Sequence, residues 1–346
     1  MTESDDCPID IISIGSAIQD VFINVPVDED QQVFVRSNHM YMALGSKINV
    51  EYPLFEIGGG GTNTAVNFSI QGLNSAILSR IANDRGGEEV LTRLRQYHVN
   101  TEFLQIDSGS QAHSGMSLIV NVPGHDRIVL VNRGVSHLLN FDEINWQRLG
   151  LAKWLYLAAF GSKTADAFDR LAEWAKKLNI QIAFNPGISQ INMGQTYLKN
   201  IIEATTILVM NRTEATKLTG SSKTERVTVV LDKLKDLGPA ISIITDGRNG
   251  VFAADNQGRR YFMPCIPVNA SSTLGAGDAF ASTFTASVIQ SGWDVPLALK
   301  RASMNASLVV QNPGAQIGLE PMERLDAYLE EVRLDVEDLS PKSTKR

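Results

Sequence analysis

The sequence predicts an α/β fold in which a mostly parallel sheet carries helices on both faces and a small β-strand lid lies beside it. Two observations support this prediction. Short apolar, β-branched runs alternate with segments of helical periodicity, which is typical of repeated strand-helix units and therefore of parallel strands. Two longer stretches interrupt this alternation and contain strand-forming residues without a helical pattern.

The large sheet is predicted to begin with the run from Ile9 to Ile18, which is apolar enough for a buried strand and ends in small residues. Similar runs follow at 75–82, 153–160, 180–186, 205–211 and 240–247. Apolar residues recur at helical spacing at 164–179 and 223–237, and further helices are predicted at 276–290, 295–311 and 320–332. The polar tail, 335–346, is predicted to have no regular structure.

The two interrupting stretches are predicted to form the lid. Residues 114–133 are typical of two strands, 115–122 and 127–133, joined by a turn at Pro123-Gly124-His125-Asp126. Because β elements often lie beside the carboxyl ends of a parallel sheet, we expect the two stretches to pair there, the alternative being unrelated surface loops. The predicted division is an α/β catalytic domain of residues 1–20, 58–113 and 134–346 and a lid of residues 21–57 and 114–133.

Composition and charge argue against several functional classes. The chain of 346 residues is 43% hydrophobic and 20% charged, as in ordinary globular proteins, and its formal charge of -7 does not suit nucleic-acid binding. No apolar run is long enough to cross a bilayer, and the acidic amino end does not resemble a secretory signal. We therefore expect a cytoplasmic protein that binds neither nucleic acid nor membrane. Cys7 and Cys265 show no metal-binding spacing.

The sharpest local signal is the segment Ser272-Thr273-Leu274-Gly275-Ala276-Gly277-Asp278, in which small residues lead directly into an apolar helix. Free backbone amides at a helix start can surround the negative charge of a phosphoryl group. Asp278 would lie in the first turn, where its carboxylate could accept a proton from an attacking hydroxyl. Taken alone, the segment is explained equally well by a simple helix cap at Asp278.

A second glycine-rich segment, Gly58-Gly59-Gly60-Gly61-Thr62-Asn63, also precedes a predicted helix. Four consecutive glycines are costly to order, so they indicate either a close approach of the backbone to a ligand or a flexible hinge. The Asn63 amide has the donor and acceptor groups that hold sugar hydroxyls, although on its own it is more typical of a helix cap.

Two further polar segments each follow a predicted buried strand. Asn211 and Glu214 lie one helical turn apart, where they could order water around a magnesium ion on nucleotide phosphates or form a capping box instead. Thr245, Gly247 and Gly250 could contact a nucleotide or form a tight turn. The motifs of a P-loop, a dinucleotide-binding turn and a serine hydrolase elbow are absent, which argues against those enzyme classes.

In this order along the chain, the segments resemble those of the ribokinase-like (PfkB) carbohydrate kinases, over residues 9–329. The most specific match is Gly275-Ala276-Gly277-Asp278-Ala279-Phe280, and the glycine run with Asn63 is similar to the amino-terminal signature of the family. Further resemblances are a loosened form of the Gly-Asp-Asp-x-x-Gly segment at Asn83-Asp84-Arg85-Gly86-Gly87, Asn-x-x-Glu at Asn211 to Glu214, Thr245-x-Gly247-x-x-Gly250, Asn305-Ala306 and Gly314-Ala315-Gln316.

The resemblance implies a doubly wound α/β fold with a small β lid, and transfer of the γ-phosphoryl group of ATP to a hydroxyl of a small sugar or sugar-like acceptor. Asp278 would be the base, with the amides of Gly275, Ala276 and Gly277 holding the transferring phosphoryl group. The resemblance places the acceptor among Asp20, Gly59, Gly60, Asn63 and Asp278. It places MgATP against Asn211, Glu214, Thr245, Gly247, Gly250 and Asn305, with Asn211 and Glu214 reaching magnesium through water.

Departures from the family pattern leave some properties open. Ser272 stands where the family usually has an aspartate in a region that helps to hold a monovalent cation, so potassium activation is not carried over. Gly60 is often lysine or another polar residue in sugar kinases, which would leave one acceptor contact missing.

Two alternative functions and one partner also stay open. The first alternative is a nucleoside kinase of the adenosine type, with Phe22, Phe34, Phe55 or Phe160 lining an aromatic pocket. The second is a non-catalytic sugar- or nucleotide-binding regulator. A homodimer could form through a strand edge of the lid.

Overall fold

Strands and helices alternate along most of the chain in the computed structural model, which describes residues 8–27, 33–162 and 166–340. The strands are β1 (Ile11–Ile14), β2 (Ile18–Asn24), β3 (Val33–Arg36), β4 (His39–Met42), β5 (Leu54–Gly58), β6 (Ser75–Leu78), β7 (Arg80–Ala82), β8 (Gln105–Asp107), β9 (Gly115–Asn121), β10 (Ile128–Asn132), β11 (Trp154–Leu157), β12 (Gln181–Phe184), β13 (Ile207–Asn211), β14 (Ile241–Thr245), β15 (Val251–Asp255), β16 (Arg260–Met263) and β17 (Glu337–Asp338). The α-helices are α1 (Gly60–Ile70), α2 (Arg85–Gln96), α3 (Trp146–Leu149), α4 (Ala167–Leu178), α5 (Ile188–Ile191), α6 (Gln195–Glu203), α7 (Arg212–Leu218), α8 (Val227–Lys235), α9 (Ala276–Ser291), α10 (Val295–Val309) and α11 (Met322–Glu331).

The large sheet contains, among the described residues, nine strands in the order β17-β16-β15-β14-β13-β12-β11-β1-β6. The strands from β14 to β6 are parallel, whereas β15, β16 and β17 extend one edge in antiparallel fashion. The predicted α/β fold with a mostly parallel sheet is therefore confirmed. The antiparallel edge was not predicted, because the short strands β15 and β16 carry polar and aromatic residues instead of a long apolar run.

Both faces of the large sheet are covered by helices. In β11, Leu155 and Leu157 cluster with apolar residues of α4 and α6. Trp154 and Tyr156 cluster with apolar residues of α9 and α10. Because successive side chains of a strand point to opposite faces, a strand that is covered on both sides must be apolar at every position. This requirement explains the continuous apolar runs in the sequence.

A second sheet, which we call the small sheet, has the strand order β10-β9-β2-β5. Its strand β2 pairs in parallel with β9, so the two stretches that interrupt the β-α pattern do pair with each other. The predicted first strand, 9–18, is divided: β1 ends at Ile14, and Ile18 already begins β2, before the predicted lid boundary at residue 21. At its other end, β5 leads directly into α1. The small sheet is thus attached to the large one at the glycine run.

Several predicted segments extend past the described residues. The predicted helix 164–179 corresponds to α4, and its first residues lie outside the described part of the chain, as do the acidic amino end (1–7) and the last residues of the polar tail (341–346). Helix α2 was not predicted, because only a few of its positions, among them Val90 and Leu94, are apolar and buried. In the described ranges, no helix has the length and apolarity needed to cross a membrane.

Candidate active site

Helix α9 begins with backbone amides that no side chain of the described residues caps. Gly275 is the N-cap residue, with a φ of 80°, and an added Cβ there would overlap Ala315, so conformation and packing both require glycine. By contrast, a Cβ at Gly277 would meet nothing within 4 Å. An uncapped helix start that faces open space is suited to binding an anion.

Helix α1 begins differently, although it follows the longer glycine run. The carbonyl of Ser16 accepts hydrogen bonds from the amides of Gly61 and Thr62, at 2.9 and 3.3 Å. An added Cβ at Gly61 would lie 2.6 Å from the carbonyl carbon of Gly15. Glycine is needed here because the link between β1 and β2 passes directly against the helix start. These two amides are already used, so the α1 start offers less to an anion than the α9 start.

The Asp278 carboxylate lies in the first turn of α9 and contacts α1. Asn63 Nδ2 donates a hydrogen bond to Asp278 Oδ2 at 2.8 Å, and an added Cβ at Gly60 would lie 3.6 Å from Asp278 Oδ1. Neither side chain caps its helix, since Gly59 and Gly275 are the N-cap residues. Burial raises the pKa of Asp278, and the hydrogen bond from Asn63 lowers it only in part. A carboxylate with a raised pKa is a better proton acceptor.

Asn63 is itself held by a series of hydrogen bonds that reaches the small sheet. Its Oδ1 accepts a hydrogen bond from Gln316 Nε2 at 3.1 Å. Arg93 Nη1 donates to Gln316 Oε1 at 3.2 Å, and Arg93 Nη2 donates to Glu56 Oε2 at 2.8 Å. Glu56 lies on β5 and Arg93 on α2. We call Glu56, Arg93, Gln316, Asn63 and Asp278 the polar relay.

Asp20 brings a second buried carboxylate towards the same region. It lies on β2, opposite Glu56 of β5 and Ser117 of β9, and its Oδ1 accepts a hydrogen bond from the Ser117 hydroxyl. The pKa of Asp20 is raised to about 6, mainly by burial; the Ser117 hydrogen bond lowers it, and the charges of Asp278 and Glu56 add to the increase. Asp20 also lies against Gly58, where an added Cβ would overlap its carboxylate. The small sheet and α9 thus each place a carboxylate near the glycine run.

The residues expected at the nucleotide lie at the carboxyl ends of β13 and β14. These strands are parallel to β1, so their carboxyl ends share one sheet edge with the start of the β1–β2 link. Asn211 and Thr245 are register partners at this edge. Asn211 and Glu214 form the reciprocal capping box, with both hydrogen bonds at 2.9 Å, and Gly247 and Gly250 form a tight turn into β15. Burial raises the pKa of Glu214 despite hydrogen bonds with Asn211.

Asn305 lies apart from these residues, inside the packing of the helices. It is fully buried. Its Nδ2 donates to Thr283 Oγ1 at 2.8 Å, and its Oδ1 accepts a hydrogen bond from the Glu320 amide at 3.0 Å. Both ends of the side-chain amide are therefore engaged between α9, α10 and the segment before α11. Among the described residues, no hydrogen bond joins Asn305 to Asn211 or Thr245.

Comparison with known proteins addresses the family directly. The model of the pfkB family carbohydrate kinases matches residues 10–322. The chain belongs to this family. The deoxyribokinase of Salmonella typhi is 25% identical to the chain over 284 residues, which cover 81% of this chain and 90% of that protein.

Solved structures share the fold of this chain. Arabidopsis thaliana ribokinase complexed with ribose and ATP matches with a TM-score of 0.75 at 18% identity, over 93% of this chain and 99% of that one. A candidate ribokinase II from E. coli in complex with ATP and Mg²⁺ matches with a TM-score of 0.76 at 17% identity, over 94% and 100%. The pfkB family carbohydrate kinases are ATP-dependent phosphotransferases, and this chain is an enzyme of that class.

The structure places residues beside the candidate site that the sequence did not single out. Arg127 Nη1 donates a hydrogen bond to the Thr273 hydroxyl at 2.7 Å, which links the small sheet to the loop before α9. The Arg127 Nε is buried without a hydrogen-bond partner in the described part of the chain. Arg93 and Glu56 were also missed. No local pattern marks such residues, because their partners are distant in the sequence.

The aromatic residues considered for a nucleoside pocket lie in different surroundings in this kinase. Phe160 is buried in the main core, and Phe22 is buried on β2. Phe34 stacks on Tyr41 at a centroid distance of 4.8 Å and is exposed, as is Phe55. Phe160 is therefore a core residue, and Phe34 and Phe55 are surface residues rather than walls of one enclosed pocket.

We expect Asp20→Asn to increase the free energy of unfolding at pH 8. The folded-state pKa of about 6 lies above the ordinary value of 3.8. The native state therefore keeps a proton that the unfolded state releases, and stability falls as pH rises between these values. The gain for the variant should be about 1–3 kcal/mol at pH 8 and smaller at pH 5. Urea denaturation of wild type and variant measures it, with the exposed Asp126→Asn as control. Equal free energies of wild type and Asp20→Asn at pH 8 would contradict the assignment.

Two glycine substitutions should separate the anion site from the packing site. Gly277→Ala should leave the free energy of unfolding nearly unchanged but lower kcat/KM for MgATP by roughly 10²-fold, because the methyl group would stand beside the helix amides. Gly61→Ala should lower the free energy of unfolding by about 1–3 kcal/mol, because its Cβ meets backbone. For both variants, urea denaturation measures the free energy of unfolding and ADP release measures kcat/KM for MgATP. Wild-type turnover of Gly277→Ala would overturn the anion-site assignment.

Proposed function

We propose that the protein transfers the γ-phosphoryl group of MgATP to a hydroxyl of a small sugar or sugar-like acceptor. The observation that carries the proposal is the position of Asp278. Its carboxylate directly follows the uncapped amides of α9 and is held by Asn63 of α1. A base and an anion-binding helix start thus lie side by side. Catalysis would come mainly from positioning and electrostatic stabilisation.

In this mechanism, Asp278 accepts the proton of the attacking hydroxyl. The hydroxyl oxygen forms a bond to the γ-phosphorus while the bond between this phosphorus and the leaving ADP oxygen breaks. Negative charge on the phosphoryl oxygens is met by the amides of Gly275, Ala276 and Gly277. The acceptor is bordered by Asp20, Gly59, Gly60 and Asn63. Asn63 would both orient Asp278 and lie beside the acceptor.

The nucleotide would bind along the carboxyl ends of β13 and β14, against Asn211, Thr245, Gly247 and Gly250. Nowhere in the described ranges do three His, Cys, Asp or Glu side chains cluster as a metal site. This fits a magnesium ion that is held mainly by phosphate and water oxygens. Asn211 and Glu214 would reach that ion through water, and Asn211 is exposed at the edge. Magnesium would supply positive charge that neutralises the phosphates.

The small sheet would act as the lid of this site. Two contacts support that role: Arg127 on Thr273, beside the α9 start, and the ion pair of Glu56 with Arg93. The first contact ties the small sheet to the loop before α9, and the second ties it to α2, whose Arg93 bonds Gln316 of the polar relay. When closed over the site, the small sheet would exclude water from the transferring phosphoryl group. This exclusion would protect ATP from hydrolysis.

The test of the function is ADP release with MgATP, with and without potassium, against pentoses, hexoses, sugar acids, inositols and nucleosides. Turnover with a sugar, sugar acid or inositol supports the proposal. Turnover with nucleosides and with no sugar, sugar acid or inositol would contradict the sugar acceptor and favour the nucleoside kinase alternative. Binding of ATP without ADP release from any acceptor favours the non-catalytic regulator.

We expect Asp278→Asn to lower kcat by a factor on the order of 10²–10⁴ while the Kd for MgATP stays near that of wild type. The reason is that the amide keeps the size of the side chain but accepts no proton. Steady-state ADP release and calorimetric titration measure the two quantities. The exposed Asp335→Asn serves as a control. Turnover of Asp278→Asn near that of wild type would remove Asp278 as the base.

We also propose that the small sheet joins two copies of the chain. Strand β10 is at the edge of the small sheet, and Ile128, Val129, Leu130 and Val131 are 40%, 39%, 57% and 49% exposed. An exposed apolar edge strand is prone to pair with a second chain. Analytical ultracentrifugation should show a dimer for wild type and a monomer for Leu130→Lys. Leu151→Lys, at an equally exposed leucine outside the small sheet, should remain dimeric. A monomeric wild type at all concentrations would contradict the proposal.

A further inference from the structure

We propose that Arg93 is a positioning residue that fixes which end of the Asn63 amide faces Asp278. The proposal rests on the proposed function, because it takes Asp278 as the base. Its physical basis is the asymmetry of the polar relay. The part of the relay from Arg93 to Asp278 begins with a guanidinium, which only donates hydrogen bonds, and ends with a carboxylate, which when ionised only accepts them.

The two amides between these ends could each turn over and exchange their oxygen and nitrogen. Arg93 prevents this, because Gln316 must present Oε1 to the guanidinium. Gln316 Nε2 then points to Asn63, which must present Oδ1 to it. The Nδ2 of Asn63 is left to donate to Asp278. Arg93 thus determines that the amide nitrogen of Asn63 faces Asp278, although it bonds to Gln316 and Glu56 rather than to Asp278.

Burial makes this orientation matter. Asn63 and Gln316 are only 5% and 4% exposed. The side chains of Arg93 and Glu56 are 21% and 12% exposed. Water therefore has little access to replace a lost donor, and a reversed amide would place its oxygen against the Asp278 carboxylate. Such an arrangement destabilises the ionised form of the base and raises its pKa.

Glu56 keeps Arg93 in place from the small sheet. It neutralises the guanidinium in an ion pair of 2.8 Å. It also lies against the loop that carries Gln316, since an added Cβ at Gly314 would be 3.3 Å from Glu56 Cγ. The relay therefore forms completely only when β5, α2 and this loop are packed together.

Other groups act on Asp278 without setting the direction of the amide. Asp20, on β2, interacts with it as a like charge, and Glu56 acts on Asp20 in the same sense. Burial and the charge of Asp278 raise the pKa of Tyr156 on β11 well above its ordinary value, so this phenol stays neutral. Among these neighbours, Asn63 is the one whose orientation can change the hydrogen bonding of Asp278.

The test measures the pKa of Asp278 by NMR of protein labelled with ¹³C at aspartate Cγ, with the resonance assigned by its loss in Asp278→Asn. Gln316→Met removes the link between Arg93 and Asn63 without changing any charge. We expect it to raise the pKa of Asp278 by about 1. Arg93→Met should raise this pKa similarly, and Arg93→Lys, which keeps a donor-only cation, should restore much of the wild-type value. Arg95→Met, on the exposed side of α2, should leave it unchanged.

The double variant Arg93→Met/Gln316→Met separates the relay from a direct effect of the Arg93 charge. If Arg93 acts through Gln316, the pKa of Asp278 in the double variant should equal that in either single variant. Additive shifts, or a wild-type pKa in folded Gln316→Met, would overturn the proposal. Because the NMR titration needs no turnover, its result is independent of whether any acceptor releases ADP. In the active enzyme, the acid limb of the kcat profile should shift upward with the pKa, while KM for MgATP stays constant.

Discussion

The hydrogen bond from Asn63 to Asp278 joins the two helices that follow glycine-rich turns, and the arrangement of the site depends on it. Below it, the same helices are tied by Asn67, whose Nδ2 donates to Ser282 and Thr283 at 2.7 and 2.9 Å. Small buried side chains on α9 permit this close packing. The contact fixes where the carboxylate lies relative to the free amides of its own helix, and the proposed phosphoryl transfer depends on this relation.

The two glycine-rich turns contain similar residues but have different roles. Before α1, glycine allows the β1–β2 link to pass against the helix start, and the carbonyl of Ser16 occupies its amides. Before α9, glycine provides the left-handed N-cap at Gly275, and the amides beyond it face open space at Gly277. One turn therefore serves the packing of the two sheets, and the other is left for a ligand. The small sheet is attached at the first turn and reaches the second through Arg127.

Much of the fold was predictable because it is local in the sequence. Continuous apolar runs identify strands buried on both faces, and the start of α9 at Ala276 follows from the small residues before it. The partners of Asp278 were not predictable from pattern. Asn63 is 215 positions away from it, and Gln316 is 253 positions from Asn63. Such contacts depend on how distant parts of the chain fold together. For Asn305, the family resemblance implied a nucleotide contact, whereas the structure buries the side chain between helices.

The central claim is that one acceptor hydroxyl is held against Asp278 beside the free amides of α9. The most direct test of this claim is a crystal structure with a non-hydrolysable MgATP analogue and an acceptor that the enzyme phosphorylates. We predict a hydroxyl oxygen within about 2.6–3.2 Å of an Asp278 carboxylate oxygen, with γ-phosphate oxygens on the amides at Ala276 and Gly277. The claim would be contradicted if the acceptor hydroxyl nearest the γ-phosphate contacted Asp20 and lay beyond hydrogen-bond distance of Asp278.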